Sequence, residues 1–207
     1  PRVERHLARL RELVAALEQR IQLPLIREIN VDDTATLTRI VGELLHVPPK
    51  QVLIASTGVI GQPLPMDKIR AGLPKLVKGL SPQGGRSAAE AILTTDTYAK
   101  EAALRLEVGG RPVTIGGIAK GVGMLEPHLA TMFCFLATDA MVASDALAAV
   151  LRRGVDGSFN RVTVDGDQST SDTVAVLANG LAENATLERG GKGLRQFARG
   201  LHAVMMR

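Results

Sequence analysis

The sequence predicts an α+β fold, and three observations carry that prediction. Helical and extended patterns alternate irregularly along the chain, which argues against a purely parallel sheet. Gly109-Gly110 separates two stretches in which apolar and polar residues alternate, the mark of an antiparallel hairpin. Hydrophobic residues make up 45% of the chain but aromatic residues only 2%, so Ala, Val, Leu and Ile must build the core. At 207 residues the chain suffices for one domain with a sizeable core or for two small lobes.

The elements follow in order. Val3, Leu7, Leu10, Val14, Leu17 and Ile21 recur at spacings of four and three, predicting an amphipathic helix over residues 2–22. That helix either packs on its own domain or forms a short dimerising coil. Pro24 breaks it, and the chain then runs extended to Asn30, so residues 1–30 form a helix and connector ahead of an α+β domain at 31–207. Asp32 or Asp33 can cap a second helix bearing Leu37, Ile40, Val41, Leu44 and Leu45, ended by Pro48-Pro49. Gln51 to Ala55 reads as a buried strand and Met66 to Leu80 as a helix. Residues 81–86 form a loop and the clearest linker, after which Ser87 can cap a short helix. The hairpin strands are 102–108 and 111–118, and residues 116–130 are glycine-rich and irregular. Met132 to Leu136 is a buried strand; Ser144 caps a helix over Asp145 to Arg153. Phe159 to Val164 and Val174 to Ala178 are further strands, separated by a polar turn, and Leu194 to Met206 is a final helix.

Composition narrows the function. Net charge is +4, but Lys and Arg are dispersed and there is no Trp and one Tyr, which disfavours nucleic-acid stacking surfaces. Cys134 is the single cysteine, so no internal disulfide or cysteine metal cluster is expected, which suits a reducing compartment. His6, His46, His128 and His202 lack metal-ligand spacing, and no cofactor motif is present. No apolar run reaches the ~20 residues of a membrane span. The first residues lack a signal-peptide pattern, so a cytoplasmic protein is expected.

Three stretches carry candidate chemistry. Ser56-Thr57-Gly58 follows an apolar run and could aim an O–H and an N–H at one point, as an oxyanion hole does; the alternative is an ordinary strand-ending turn. Lys120, in Gly117-Ile118-Ala119-Lys120-Gly121, could meet a carboxylate or be an exposed loop lysine. In Leu129-Ala130-Thr131-Met132, Thr131 could attack the carbonyl of Ala130, or simply begin a strand as β-branched residues do.

Together with Pro63-Leu64-Pro65-Met66-Asp67-Lys68-Ile69, Ala89-Glu90-Ala91-Ile92-Leu93-Thr94-Thr95-Asp96-Thr97, Ala137-Thr138-Asp139-Ala140 and Asp165 to Thr173 (DGDQSTSDT), these stretches resemble the ornithine acetyltransferase family, the bifunctional glutamate N-acetyltransferases. The resemblance covers roughly residues 32–190. It implies a layered α-β-β-α fold and self-cleavage between Ala130 and Thr131. It also implies that the Thr131 hydroxyl accepts acetyl from N-acetylornithine and passes it to glutamate. Thr57 and Gly58 match the family's oxyanion pair, and Thr94 and Lys120 match its substrate contacts.

Relative to that family the chain is short at both ends, before residue 32 and past Arg207. Homo-oligomerisation or partner chains are therefore expected. A truncated or non-catalytic relative assembling through the 2–22 helix is the alternative.

Overall fold

In the computed structural model, residues 31–57, 63–123, 125–126, 129–130, 132–165 and 172–207 are described. The helix over 2–22, Gly58, Thr131 and the turn at 166–171 lie outside these residues. The chain divides into two compact units at Gly84–Gly85, inside the 81–86 stretch singled out as a linker.

The first unit contains α1 (Val31–Leu45), a 3-10 turn (Pro49–Gln51) and α2 (Met66–Lys78). Asp32 and Asp33 sit within α1 rather than ahead of it. Helices α1 and α2 touch, and Leu37 and Val47 are the buried apolar residues among those described in this unit. The strand expected at 51–55 does not form. Gln51 closes the 3-10 turn, and residues 52–57 run on without a ladder, with Leu53 exposed. A β-branched run becomes a strand only with a partner for its backbone groups, and no strand lies among the described residues of this unit.

The second unit is built on the expected hairpin. Strand β1 (Lys100–Val108) pairs antiparallel with β2 (Arg111–Lys120), from Val108 opposite Arg111 to Lys100 opposite Ala119. Gly109 and Gly110 take φ of 60° and 80°, the paired left-handed conformations that a two-residue turn matched to strand twist requires. Strand β2 also pairs antiparallel with β5 (Phe133–Thr138), which pairs in parallel with β6 (Thr173–Ala178), giving the order β1-β2-β5-β6. Between β2 and β5, β3 (Leu125–Glu126) and β4 (Leu129–Ala130) form a separate two-stranded piece.

Helix α4 (Ser144–Gly157) crosses from β5 to β6, as a parallel pair demands. Helix α5 (Lys192–Met205) packs on α4, β1 and β2. Period-two alternation sends Val113, Ile115, Leu136 and Val176 to the covered face, where they meet Phe197, Leu201 and Val204 of α5. The opposite face carries a shallow groove of ≈ 430 Å³ lined by Glu101, Ala103, Gly116, Ile118, Phe135 and Leu177, with Gly85 of α3 (Gly85–Ala91) at its side.

The fold is thus mixed α and β with a four-stranded sheet. A second full β layer is not among the described residues. Several expectations are corrected. Residues 116–120 are not irregular: they complete β2, because β1 and β5 flank them and satisfy their backbone. Phe159–Arg161 is a 3-10 turn rather than part of a strand, with Asn160 bonded back to Asp156 and Val162 and Val164 exposed. Ser87 lies inside α3, and Ser144 begins α4 without capping it by its side chain. Arg152 and Arg153 do not close α4, which runs on to Gly157.

Candidate functional site

Lys120 ends β2 and is only 2% exposed. The expected alternative of an exposed loop lysine is overturned, because the strand carries the side chain under its neighbours. Its Nζ donates to Thr94 Oγ1 at 3.3 Å and lies 5.2 Å from the centre of the Phe133 ring. Thr94 follows α3, in the turn that leads to β1, and is itself exposed. An ammonium in this setting costs solvation, and burial pushes the Lys120 pKa down. Asp96 and Asp172 act against that shift by their charge, while Lys100 adds to it.

Asp96 is the anchor on one side. Its side chain is fully buried. Oδ1 accepts from Lys100 Nζ and from the Gly121 N–H, the latter at 2.8 Å. Oδ2 has no hydrogen-bond partner among the described residues. Burial alone would raise this carboxyl. The hydrogen bonds from Lys100 and Gly121, with the charges of Lys100 and Lys120, outweigh burial and hold it below its ordinary 3.8.

On the other side, Asp172 Oδ1 accepts from the Met132 N–H at 2.8 Å, and the Thr173 N–H donates to the Met132 carbonyl at 2.9 Å. Met132 follows Thr131 directly in the chain. Ala130 ends β4, its backbone registered against Leu125. Thr57 is half-buried in the first unit.

Of the residues singled out from sequence, the structure brings Thr94 and Lys120 into contact. Asp96 and Asp172 were not singled out. Their only sequence signal was an acid inside each of two hydroxyl-rich stretches, Thr94-Thr95-Asp96-Thr97 and Ser169-Thr170-Ser171-Asp172-Thr173. Such acids commonly serve turns. Cys134, the one thiol, is 3% exposed and its pKa is pushed up to about 12 by burial, so it is no rival nucleophile at neutral pH. No group of three or more metal-ligating side chains occurs among the described residues. Nor is any helix among them long and apolar enough to cross a membrane.

Fold and site together define an α+β protein with an ammonium buried at the end of a mixed sheet. Residues 28–207 match the model of the ArgJ family, and the chain belongs to that family. This is the family to which the motif resemblance pointed. An arginine biosynthesis bifunctional protein ArgJ from Symbiobacterium thermophilum is 52% identical over 86% of this chain. The protein of that name from a Synechococcus species is 53% identical over 72% of it. The chain spans 44% and 36% of the length of those two relatives. The crystal structure of an arginine biosynthesis bifunctional protein argJ from Bacillus halodurans is 40% identical. It aligns with a TM-score of 0.44 over 50% of this chain and 55% of its own.

Proposed function

We propose that the chain carries the nucleophile half of an acetyltransferase of arginine biosynthesis, working through Thr131. The observation that carries this reading is the family match over residues 28–207, which includes the Ala130-Thr131 step and the Lys120–Thr94 pair.

Cleavage after Ala130 makes Thr131 a chain start. Its freed α-amine titrates at about 7.7–8.0, so it can take the proton of its own hydroxyl near neutral pH without a histidine. Thr131 Oγ attacks the acetyl carbonyl of N-acetylornithine. The amide C–N bond breaks, the proton goes to the departing nitrogen, and an acetyl ester forms. The amine of glutamate attacks that ester, the acetyl moves to nitrogen, and the threonine hydroxyl is restored. Thr57 and Gly58 are the donors assigned to the oxyanion of each tetrahedral intermediate. Lys120, held by Thr94, pairs with the α-carboxylate of either amino acid. Burial strengthens that contact because water does not compete for the ammonium. Reaction in the cytoplasm and assembly of chains, with residues 2–22 as the seam, go with this reading. Layering of a second sheet on the open face goes with it as well.

Mass spectrometry of the purified chain tests the first step: two fragments are expected, the second beginning at Thr131. Thr131→Ala is expected to remain one chain and to transfer no acetyl group. A persistent single mass together with no acetyl transfer by the unsubstituted chain refutes the reading. The mass in solution after removal of residues 1–22 tests the seam: a lower oligomeric state is expected, and an unchanged one refutes it.

A further inference from the structure

Two carboxylates hold the two ends of the segment that contains the Ala130–Thr131 bond. Strands β2 and β5 are antiparallel neighbours, and their register ends with Lys120 opposite Phe133. The chain leaves this pair at Gly121 and re-enters it from Met132. At the exit, the Gly121 N–H donates to Asp96 Oδ1 at 2.8 Å. At the return, the Met132 N–H donates to Asp172 Oδ1 at 2.8 Å. The Thr173 N–H takes the Met132 carbonyl at 2.9 Å, so one dipeptide holds both backbone polar groups of Met132.

The two ends also close on each other. Gly121 has φ of 145°, and a Cβ there would lie 3.4 Å from Met132 Cβ and Cγ. Lys120 sits within reach of both carboxylates electrostatically, with Lys100 the further cation.

From these contacts we propose that Asp96 and Asp172 are positioning residues that clamp residues 121–132 at both ends and so set the backbone next to Thr131. The proposal deepens the acyl-transfer reading and rests on it, since the positioned residue is its nucleophile. Neither carboxylate is given a role in proton transfer. A backbone N–H bonded to a carboxylate is roughly twice as strong as a neutral pair. Each bond therefore resists opening of a segment that must hold an attack geometry, where a displacement of about 1 Å costs on the order of 100-fold in rate. Lys120 then serves both ends, because its charge attracts both acids.

The experiment uses the full chain with three substitutions at one position. Asp172→Ala removes the acceptor and the charge. Asp172→Asn keeps an acceptor oxygen. Asp172→Glu keeps the charge but displaces the oxygen by one methylene. Amide hydrogen exchange of Met132, read by NMR, is expected to accelerate ~10–100-fold in Asp172→Ala and by only a few-fold in Asp172→Asn, which keeps a neutral acceptor. Cleavage after Ala130, followed by mass spectrometry, is expected to slow by a similar factor in Asp172→Ala and Asp172→Glu. Asp172→Asn is expected to restore it to within a few-fold, a rescue that loss of general stability would not produce. Asp96→Asn and Asp96→Ala repeat the exchange test at the Gly121 N–H.

Unchanged exchange at Met132 in Asp172→Ala overturns the clamp. Lost protection with undiminished cleavage overturns the positioning role. Should Asp172→Ala not fold, Asp172→Glu decides the matter by the same two readouts. If the unsubstituted chain never cleaves, the acyl-transfer reading falls and exchange alone judges the clamp.

Discussion

The two ends of one sheet are both buried, and by opposite means. At the hairpin end, Val108, Val113 and Ile115 are wholly inaccessible under α5. Their burial is favourable in itself, at about 25 cal/mol per Å² of apolar surface, and asks only for shape. At the other end of β2, Lys120 is buried almost as deeply, but its burial is unfavourable until partners are supplied. Those partners are Thr94, Asp96, Asp172 and the Phe133 face, drawn from three separate parts of the chain. The comparison separates burial that is favourable by itself from burial that depends on partners. The hairpin end is built by area, and many apolar residues would serve. The Lys120 end is built by pairing, and exposes its cost when one partner is removed and the other is left buried.

Breaking the first end should produce the largest loss. Phe197 is fully buried on α5, and Phe197→Ala is expected to cost about 3–5 kcal/mol of stability, read by urea unfolding. A cost below ~1 kcal/mol would mean that α5 does not anchor the sheet. At the second end, Asp96→Ala removes charge-assisted bonds to Gly121 and Lys100 and leaves Asp172 as the one acid acting on Lys120 among its described neighbours. A loss of roughly 2–3 kcal/mol is expected in the same measurement.

Acid should sharpen the difference between the ends. The Asp96 pKa is depressed on folding, so its stabilising contribution is full above the ordinary value of 3.8 and is lost as pH falls through the lower folded value. Asp96→Asn should therefore flatten the acid limb of stability against pH, whereas Phe197→Ala should lower the whole curve and keep its shape. The same limb in both variants would show that Asp96 is not the responsible group.

Lys120→Met should separate stability from binding. The methionine fills the same space without a desolvation cost, and Asp96 keeps Lys100 and Gly121, so stability is expected to change by about 1 kcal/mol or less. Calorimetric titration of the cleaved protein with glutamate should meanwhile lose its signal. Retained binding would remove Lys120 from the proposed carboxylate site. The smallest effect belongs to the exposed Asp145–Arg189 pair, which is 62–63% accessible on both sides: Asp145→Asn is expected to cost less than ~0.5 kcal/mol and to leave cleavage unchanged.

The sequence was most readable where one local rule was enough. Gly109-Gly110 announced the hairpin, and Leu194 to Met206 was readable as the final helix, α5. It misled where the outcome depended on a neighbour. Gln51 to Ala55 and Phe159 to Val164 had the composition of strands, yet neither formed one. Residues 116–120 looked irregular because glycine is usually a breaker, but two flanking strands held them in the ladder. At the site, the motifs pointed to Thr94 and Lys120 and left Asp96 and Asp172 unremarked among turn-forming residues.

By itself, then, the sequence determined the family, the hairpin and the apolar positions of the covered sheet face. Each of these is written in residue identity, turn chemistry or short-range period. Tertiary structure alone decided that Lys120 is buried rather than exposed, and that acids 24 residues before it and 52 residues after it converge on one strand end. The reason is physical: burial and electrostatic pairing are properties of distance in space, and separation along a chain does not specify that distance until the sheet has formed.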